Sequence, residues 1–281
     1  MHLELKKERL DLSHPRVMGV LNRTPDSFSD GGAFVEFEAA LIHARRMLQE
    51  GADFLDVGGE STRPGAAPVT VEEELARVLP LIERLAAEPG VRISVDTSKP
   101  EVMRAAVKSG AVMINDVYAL RQPGALEAAA ESGAAVCLMH MQGEPRSMQQ
   151  APHYTDVTRE VTEFLLERAE ACRQAGIPRA RIALDPGFGF GKTLEHNLTL
   201  LRELPDLAHH GYPVLAGLSR KSMLGTLLGG KPVEERLHAS VAAATVAAMN
   251  GASILRVHDV GPTVDALKVT SALAKPRSIP S

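Results

Sequence analysis

Residues able to bind or polarise a small polar molecule stand at the ends of short apolar runs. In chain order they are Asn22, Asp56, Asp96, Asn115, His140, Asp185, Ser219 with Lys221, and Arg256 with His258. Asp96, Asn115 and Asp185 offer acceptors, or a mix of donors and acceptors, suited to the N–H edge of a heterocycle. Lys221 can donate to a carbonyl or ring nitrogen of the same molecule. Asn22, Thr62, Arg63, Arg256 and His258 form a second, cationic or polar set. It suits a phosphate or diphosphate, which arginine grips through parallel hydrogen bonds. Taken singly, an Asp or Asn at such a position can simply cap the following helix. That Asp96, Asn115, Asp185 and Lys221 are all structural is the weaker reading. Asp56 lies deeper in its run and is the one most readily left to structure.

The elements that carry these residues repeat. A helical stretch ends at a glycine, a short apolar run follows, and the run closes on a polar residue. The runs are Arg16–Asn22, Phe54–Asp56, Arg92–Asp96, Val112–Asn115, Ala135–His140, Arg181–Asp185, Val214–Ser219 and Ile254–His258. Continuous apolar strands suit a sheet buried on both faces, and the glycines suit the left-handed residue that ends a helix. Phe37, Ala40, Leu41, Ala44, Met47 and Leu48 recur at helical spacing, and 234–248 is an alanine-rich helix. Eight such units predict an α/β fold, a (β/α)8 TIM barrel in a single domain, with an open doubly wound sheet as the alternative. Residues 1–15 precede the first strand and are expected to cap the bottom of a barrel spanning 16–281. In this fold the strands' C-terminal ends build the site. The loops 24–32 and 58–65 follow strands on that face, so they are lids or ordinary surface loops.

Composition narrows the field. The chain has 281 residues, 44% hydrophobic and 23% charged, with a net charge of −4. These values exclude a disordered chain or a collagen-like repeat. With no basic excess and only 4% aromatic residues, no nucleic-acid partner is expected. No apolar run reaches the length of a membrane span, and the charged N-terminus is not a signal peptide, so a cytoplasmic location is expected. Cys137 and Cys172 give neither a disulfide framework nor zinc spacing, and no His/Asp/Glu cluster has transition-metal spacing. His43, His209 and His210 read as surface residues, and the ten methionines mostly as core filling. The segment 187–193, GFGFGKT, resembles the end of a phosphate-cradling loop. Pro186 stands where that motif needs its first glycine, and the dinucleotide spacing fails too.

Together the motifs resemble the dihydropteroate synthase family. They are MGVLNRTPDSFSDGG at 18–32, GESTRPG at 59–65, SVDT at 94–97, IND at 114–116, LMHMQG at 138–143, DPGFGFGK at 185–192, GLSRKS at 217–222 and RVHD at 256–259. Each alone is weak to moderate; the ordered set is specific. Arg23 departs from the small or apolar residue usual there. The resemblance implies condensation of 6-hydroxymethyl-7,8-dihydropterin diphosphate with para-aminobenzoate to give 7,8-dihydropteroate and diphosphate. It also implies Mg2+, a homodimer and sulfonamide inhibition. By motif, Asp96, Asn115, Met139, Asp185, Lys221 and Arg256 bind the pterin. Asn22, Thr62, Arg63, Arg256 and His258 hold the diphosphate, with Asn22 nearest the metal. Pro64, Phe190 and Ser222 line the aminobenzoate site, which a loop carrying Phe28 and Asp30 completes.

Charge separation at a pterin CH2–O bond explains why no Ser/His/Asp-type nucleophile–base pair is needed, and it favours an SN1-like path. The competing readings are a pterin-dependent methyltransferase, which should lack the aminobenzoate elements, and a non-catalytic pterin-binding paralogue, which should lose the leaving-group ligands. An unrelated phosphate-binding barrel would explain the basic residues but not the acceptors.

Overall fold

A computed structural model describes residues 1–6, 8–22, 32–61, 68–144 and 148–273. Strands β1 (His2–Glu4) and β2 (Arg9–Asp11) form an antiparallel hairpin. Eight parallel strands then alternate with helices: β3 (Arg16–Asn22), β4 (Phe54–Gly58), β5 (Ile93–Asp96), β6 (Met113–Asp116), β7 (Ala135–Met139), β8 (Ile182–Asp185), β9 (Leu215–Ala216) and β10 (Ile254–Val257). The helices are α1 (Gly32–Gln49), α2 (Val71–Ala86), α3 (Pro100–Lys108), α4 (Ala125–Ser132), α5 (Val157–Gln174), α6 (Leu194–Arg202), α7 (Leu204–Ala208), α8 (Ser222–Leu227), α9 (Leu237–Met249) and α10 (Val260–Leu273). Neighbours run in the order β8-β7-β6-β5-β4-β3-β10-β9. A parallel bridge between Leu184 and Val214 brings the two edge strands together, so the sheet curls into a barrel.

All eight expected strands form. β9 is the shortest, two residues against the six read from sequence. Beyond it, 217 and 218 carry no ladder pairing, and the chain turns at 219–220, where Arg220 adopts a left-handed backbone (φ 59°). β4 runs the other way, continuing past Asp56 to Gly58.

Side chains alternate across each strand. The outward set, including Val17, Leu55, Val95, Ile114, Val136 and Leu184, joins the helices in the main apolar core. The inward set changes character along the strands. Met18, Phe54, Met113, Ala135, Ala183, Leu215 and Ile254 are apolar at the N-terminal end, where Leu3, Leu5, Leu10 and Leu12 of the hairpin pack against them. Two residues further on, the same faces carry Asp56, Asn115, Asp185 and Arg256. A dry floor and a polar mouth follow from that one switch.

Candidate active site

Strand register sets the polar mouth. Asn22 pairs with Gly58, Gly58 with Asp96, and Asp96 with Asn115, so these four lie in one cross-strand row. Gly58 leaves room in that row, because a Cβ there would lie 3.1 Å from Asn22 Oδ1 and 3.4 Å from Asp96 Cβ. Met139 pairs with Asp185 between β7 and β8, and Met18 with Arg256 between β3 and β10.

Arg256 is the hub. Its Nε donates to Asp56 Oδ2 at 2.6 Å and its Nη2 to Asp96 Oδ2 at 2.7 Å. Asn115 Nδ2 donates to the same Asp56 oxygen at 3.1 Å. Asp56 is fully buried, and its Oδ1 is a buried oxygen without a hydrogen-bond partner among the described residues. Asp56 therefore belongs to the constellation. Phe54, Asp56 and Gly58 share a face by simple alternation, and that parity was the signal for it in the sequence.

Burial opposes the arginine's charge, but the Asp56 and Asp96 carboxylates outweigh it, so Arg256 is held charged more firmly than usual. Burial pushes the Asp96 carboxyl up to about 7 against the pull of Arg256. The Asp185 carboxyl is likewise raised by burial, with Lys221 opposing, and its Oδ1 accepts from Gly187 N at 2.7 Å. The Lys221 ammonium is pushed down to about 8 by burial, with Asp185 opposing. Each of these groups perturbs at least one of the others, so Asp96, Asp185, Lys221 and Arg256 share one electrostatic environment. Strongly perturbed groups gathered at a barrel mouth mark a functional site.

Lys221 precedes α8 and donates to Phe188 O, and its Nζ stands 4.5 Å from the centre of the Phe190 ring. Phe190 packs with Met139 in a small cluster that also holds Val117, Met141 and Met148. Ser222 opens α8 and is exposed beside Lys221. His258 is tied to Ser219, whose Oγ lies 3.2 Å from its backbone N and 3.1 Å from its Nδ1.

His140 is not part of this group. It follows the inward Met139, so it faces the other way, with its ring edge-on to Phe164 at 5.0 Å. Phe28, Asp30, Thr62, Arg63 and Pro64, and also Arg23, lie outside the described residues.

A row of acceptors flanked by a fixed guanidinium and an ammonium can hold a flat heterocycle by its edge and stabilise an anion leaving beside it. Comparison with known proteins supports the same chemistry. The sequence model of the family described as "Pterin binding enzyme" matches residues 18–258. The chain is 57% identical over 272 residues to the dihydropteroate synthase of Escherichia coli (strain K12), covering 97% of this chain and 96% of that one. Among solved structures it resembles Yersinia pestis dihydropteroate synthase with a sulfonamide drug complex (TM-score 0.92, 53% identity, 97% and 98% of the chains covered). It also resembles Xanthomonas albilineans dihydropteroate synthase with 4-aminobenzoic acid (TM-score 0.91, 56% identity, 99% of each chain). Barrel, polar mouth and ordered motifs thus converge on one assignment: the chain belongs to the dihydropteroate synthase family of pterin-binding enzymes.

Proposed function

We propose that the chain condenses 6-hydroxymethyl-7,8-dihydropterin diphosphate with para-aminobenzoate, releasing diphosphate and 7,8-dihydropteroate, in folate biosynthesis. The observation that carries this reading is the junction of Asp96, Asn115, Asp185 and Lys221 with Arg256 at one mouth. Asp96, Asn115 and Asp185 accept from the pterin's N–H edge, Lys221 donates to its carbonyl or ring nitrogen, and Met139 lines the slot. Asn22, Arg256 and His258, with Thr62 and Arg63 from the second loop, hold the diphosphate. Arg256 donates through Nε and Nη2 to carboxylates, and neither bond uses Nη1, so that nitrogen can donate to the diphosphate. Phe190 and Ser222 line the aminobenzoate subsite, to which Pro64, Phe28 and Asp30 are assigned by motif.

The bond that breaks joins the pterin CH2 to a diphosphate oxygen, which leaves with the electron pair. The cation left behind is conjugated with the ring, and carboxylates at Asp96 and Asp185 favour it. Fixed positive charge near the departing oxygen lowers the barrier because it needs no reorganisation. The arylamine nitrogen then bonds to the CH2 and loses a proton. It is neutral near pH 7, so it needs placement more than a general base.

Magnesium fits this mouth. It binds through one or two protein oxygens plus phosphate oxygens rather than a dedicated cage. A Cβ on Gly58 would crowd Asn22 Oδ1 at 3.1 Å, so the glycine leaves that oxygen uncrowded, and no group of three His, Cys, Asp or Glu suited to a metal occurs among the described residues. Asn22 would hold the ion, which when bound neutralises charge on the leaving diphosphate.

Lys221→Ala should weaken pterin binding by roughly 10- to 100-fold, the range for a hydrogen bond from a charged donor. Calorimetry showing unchanged affinity would remove it from the slot. The reaction is tested by diphosphate release that depends on both substrates; release without dependence on the amine, or none with both, refutes the reading.

The proposal includes a homodimer. A groove of about 640 Å3 runs between α9 and α10, and Met249 (72% exposed), Val269 (62%) and Leu273 (80%) present apolar surface there. Sedimentation should give twice the chain's mass, and Met249→Glu should shift it toward the monomer; a monomeric wild type contradicts this. No described helix is long and apolar enough to cross a membrane, and a cytoplasmic location is part of the same proposal.

A further inference from the structure

Lys192 is the next-to-last residue of the segment that looks, in sequence, like the end of a phosphate-binding loop. Its ammonium is turned inward instead. The residue is 3% exposed, and its Nζ lies 2.9 Å from His140 Nδ1, 3.0 Å from Gly187 O and 3.0 Å from Phe190 O. Three acceptors thus face the three protons of one ammonium. Burial pushes the Lys192 ammonium well down while Asp185 opposes, and burial pushes His140 down to about 2, so the ring is neutral. With the lysine as donor, the ring accepts at Nδ1, and the tautomer this requires carries its proton on Nε2.

The two lysine-bound carbonyls belong to the turn 187–191, which side chains hold almost throughout. Gly187 N donates to Asp185 Oδ1, Gly189 N donates to Asn197 Oδ1 at 2.7 Å, and Gly191 O accepts from Tyr154 OH at 2.9 Å. The turn is pressed hard against the β7 exit. A Cβ on Gly187 would fall 1.9 Å from His140 O, and one on Gly191 2.4 Å from Gln142 O, both at positive φ. Two parts of this turn reach the mouth: Phe188 O accepts from Lys221, and the Phe190 ring lies beneath the same ammonium.

We propose that Lys192 is a positioning residue: with His140 it forms a buried latch that fixes the turn, and through Phe188 O and the Phe190 ring it sets Lys221 and the wall of the second-substrate subsite. The inference rests on the placement of para-aminobenzoate beside Phe190. Lys192 touches no substrate, and its effect is transmitted by the turn.

The test uses the full chain carrying Lys192→Met, which keeps length and removes the ammonium. Losing the three hydrogen bonds of this buried ammonium predicts roughly 10-fold or more faster amide exchange across 187–191, with strands β4 to β6 unchanged. KM for para-aminobenzoate should rise about 10-fold while kcat stays within about 3-fold. Unchanged exchange in that segment, or a fall in kcat with KM for the amine intact, overturns the proposal. Should Lys192→Met not fold, the pair His140→Asn and His140→Leu decides: the amide oxygen of Asn keeps an acceptor and should behave nearly as wild type, whereas Leu should show the defect. Equal behaviour of the two overturns the latch. Phe190→Ala run in parallel separates the two readings. If it leaves KM for the amine unchanged, the subsite placement fails, and the exchange measurement still decides the latch.

Discussion

Asp185→Asn should lower kcat by about 10²-fold or more, about 3 kcal/mol, the loss typical of one preorganised electrostatic group. The substitution is conservative in shape. An amide oxygen at the same place can still accept from Gly187 N, as Asp185 Oδ1 does at 2.7 Å, so the turn and the fold survive. What disappears is negative charge beside the heterocycle as its CH2 becomes cationic, together with the counter-charge to Lys221. The loss should therefore appear in kcat, with thermal stability close to wild type. A near-normal kcat in a folded variant would contradict the role.

Arg256→Met should be the most destabilising single change at the mouth. The guanidinium joins Asp56, whose side chain is 0% exposed, to Asp96, at 13%. Removing it leaves two carboxylates facing each other out of water. Breaking a buried pair in this way costs about 3–5 kcal/mol, which for a domain of this size is a fall in Tm of roughly 10 °C. The pH dependence has a definite sign. Without the arginine, the folded carboxyl of Asp96 rises further above its ordinary value, so the native state binds more protons than the unfolded state above about pH 4. Stability then falls as pH rises, and the deficit should shrink from pH 8 toward pH 5. Asp56→Asn added to Arg256→Met should recover part of the loss. A single variant melting within about 2 °C of wild type would show that Arg256 is not the keystone described here.

Much of this architecture was legible in the residues themselves. Eight apolar runs punctuated by glycine announce the barrel, and polar residues at their ends announce the mouth. The finer errors come from parity. Asp56, the member most readily left to structure, and His140 both stand in the strand-end series, but only inward positions face the barrel. Asp56 shares the face of Phe54 and Gly58, whereas His140 is one residue past Met139 and faces the helices. Deciding between them requires knowing which residue begins each inward set, and short strands leave that open. Lys192 was invisible for a different reason: its partners are backbone carbonyls and an imidazole distant in sequence, and no spacing rule encodes such contacts. The hairpin pairing of residues 2–4 with 9–11 was equally hidden, because it is held by the barrel floor more than by its own short strands.

The most direct test of the central claim is a crystal structure of the chain with a non-hydrolysable pterin diphosphate analogue. The predicted result places the bicyclic ring within hydrogen-bonding distance of Asp96, Asn115, Asp185 and Lys221, with the diphosphate directed to Asn22, Arg256 and His258. A ring seated away from those acceptors, or a diphosphate tail pointing away from Arg256, would contradict it.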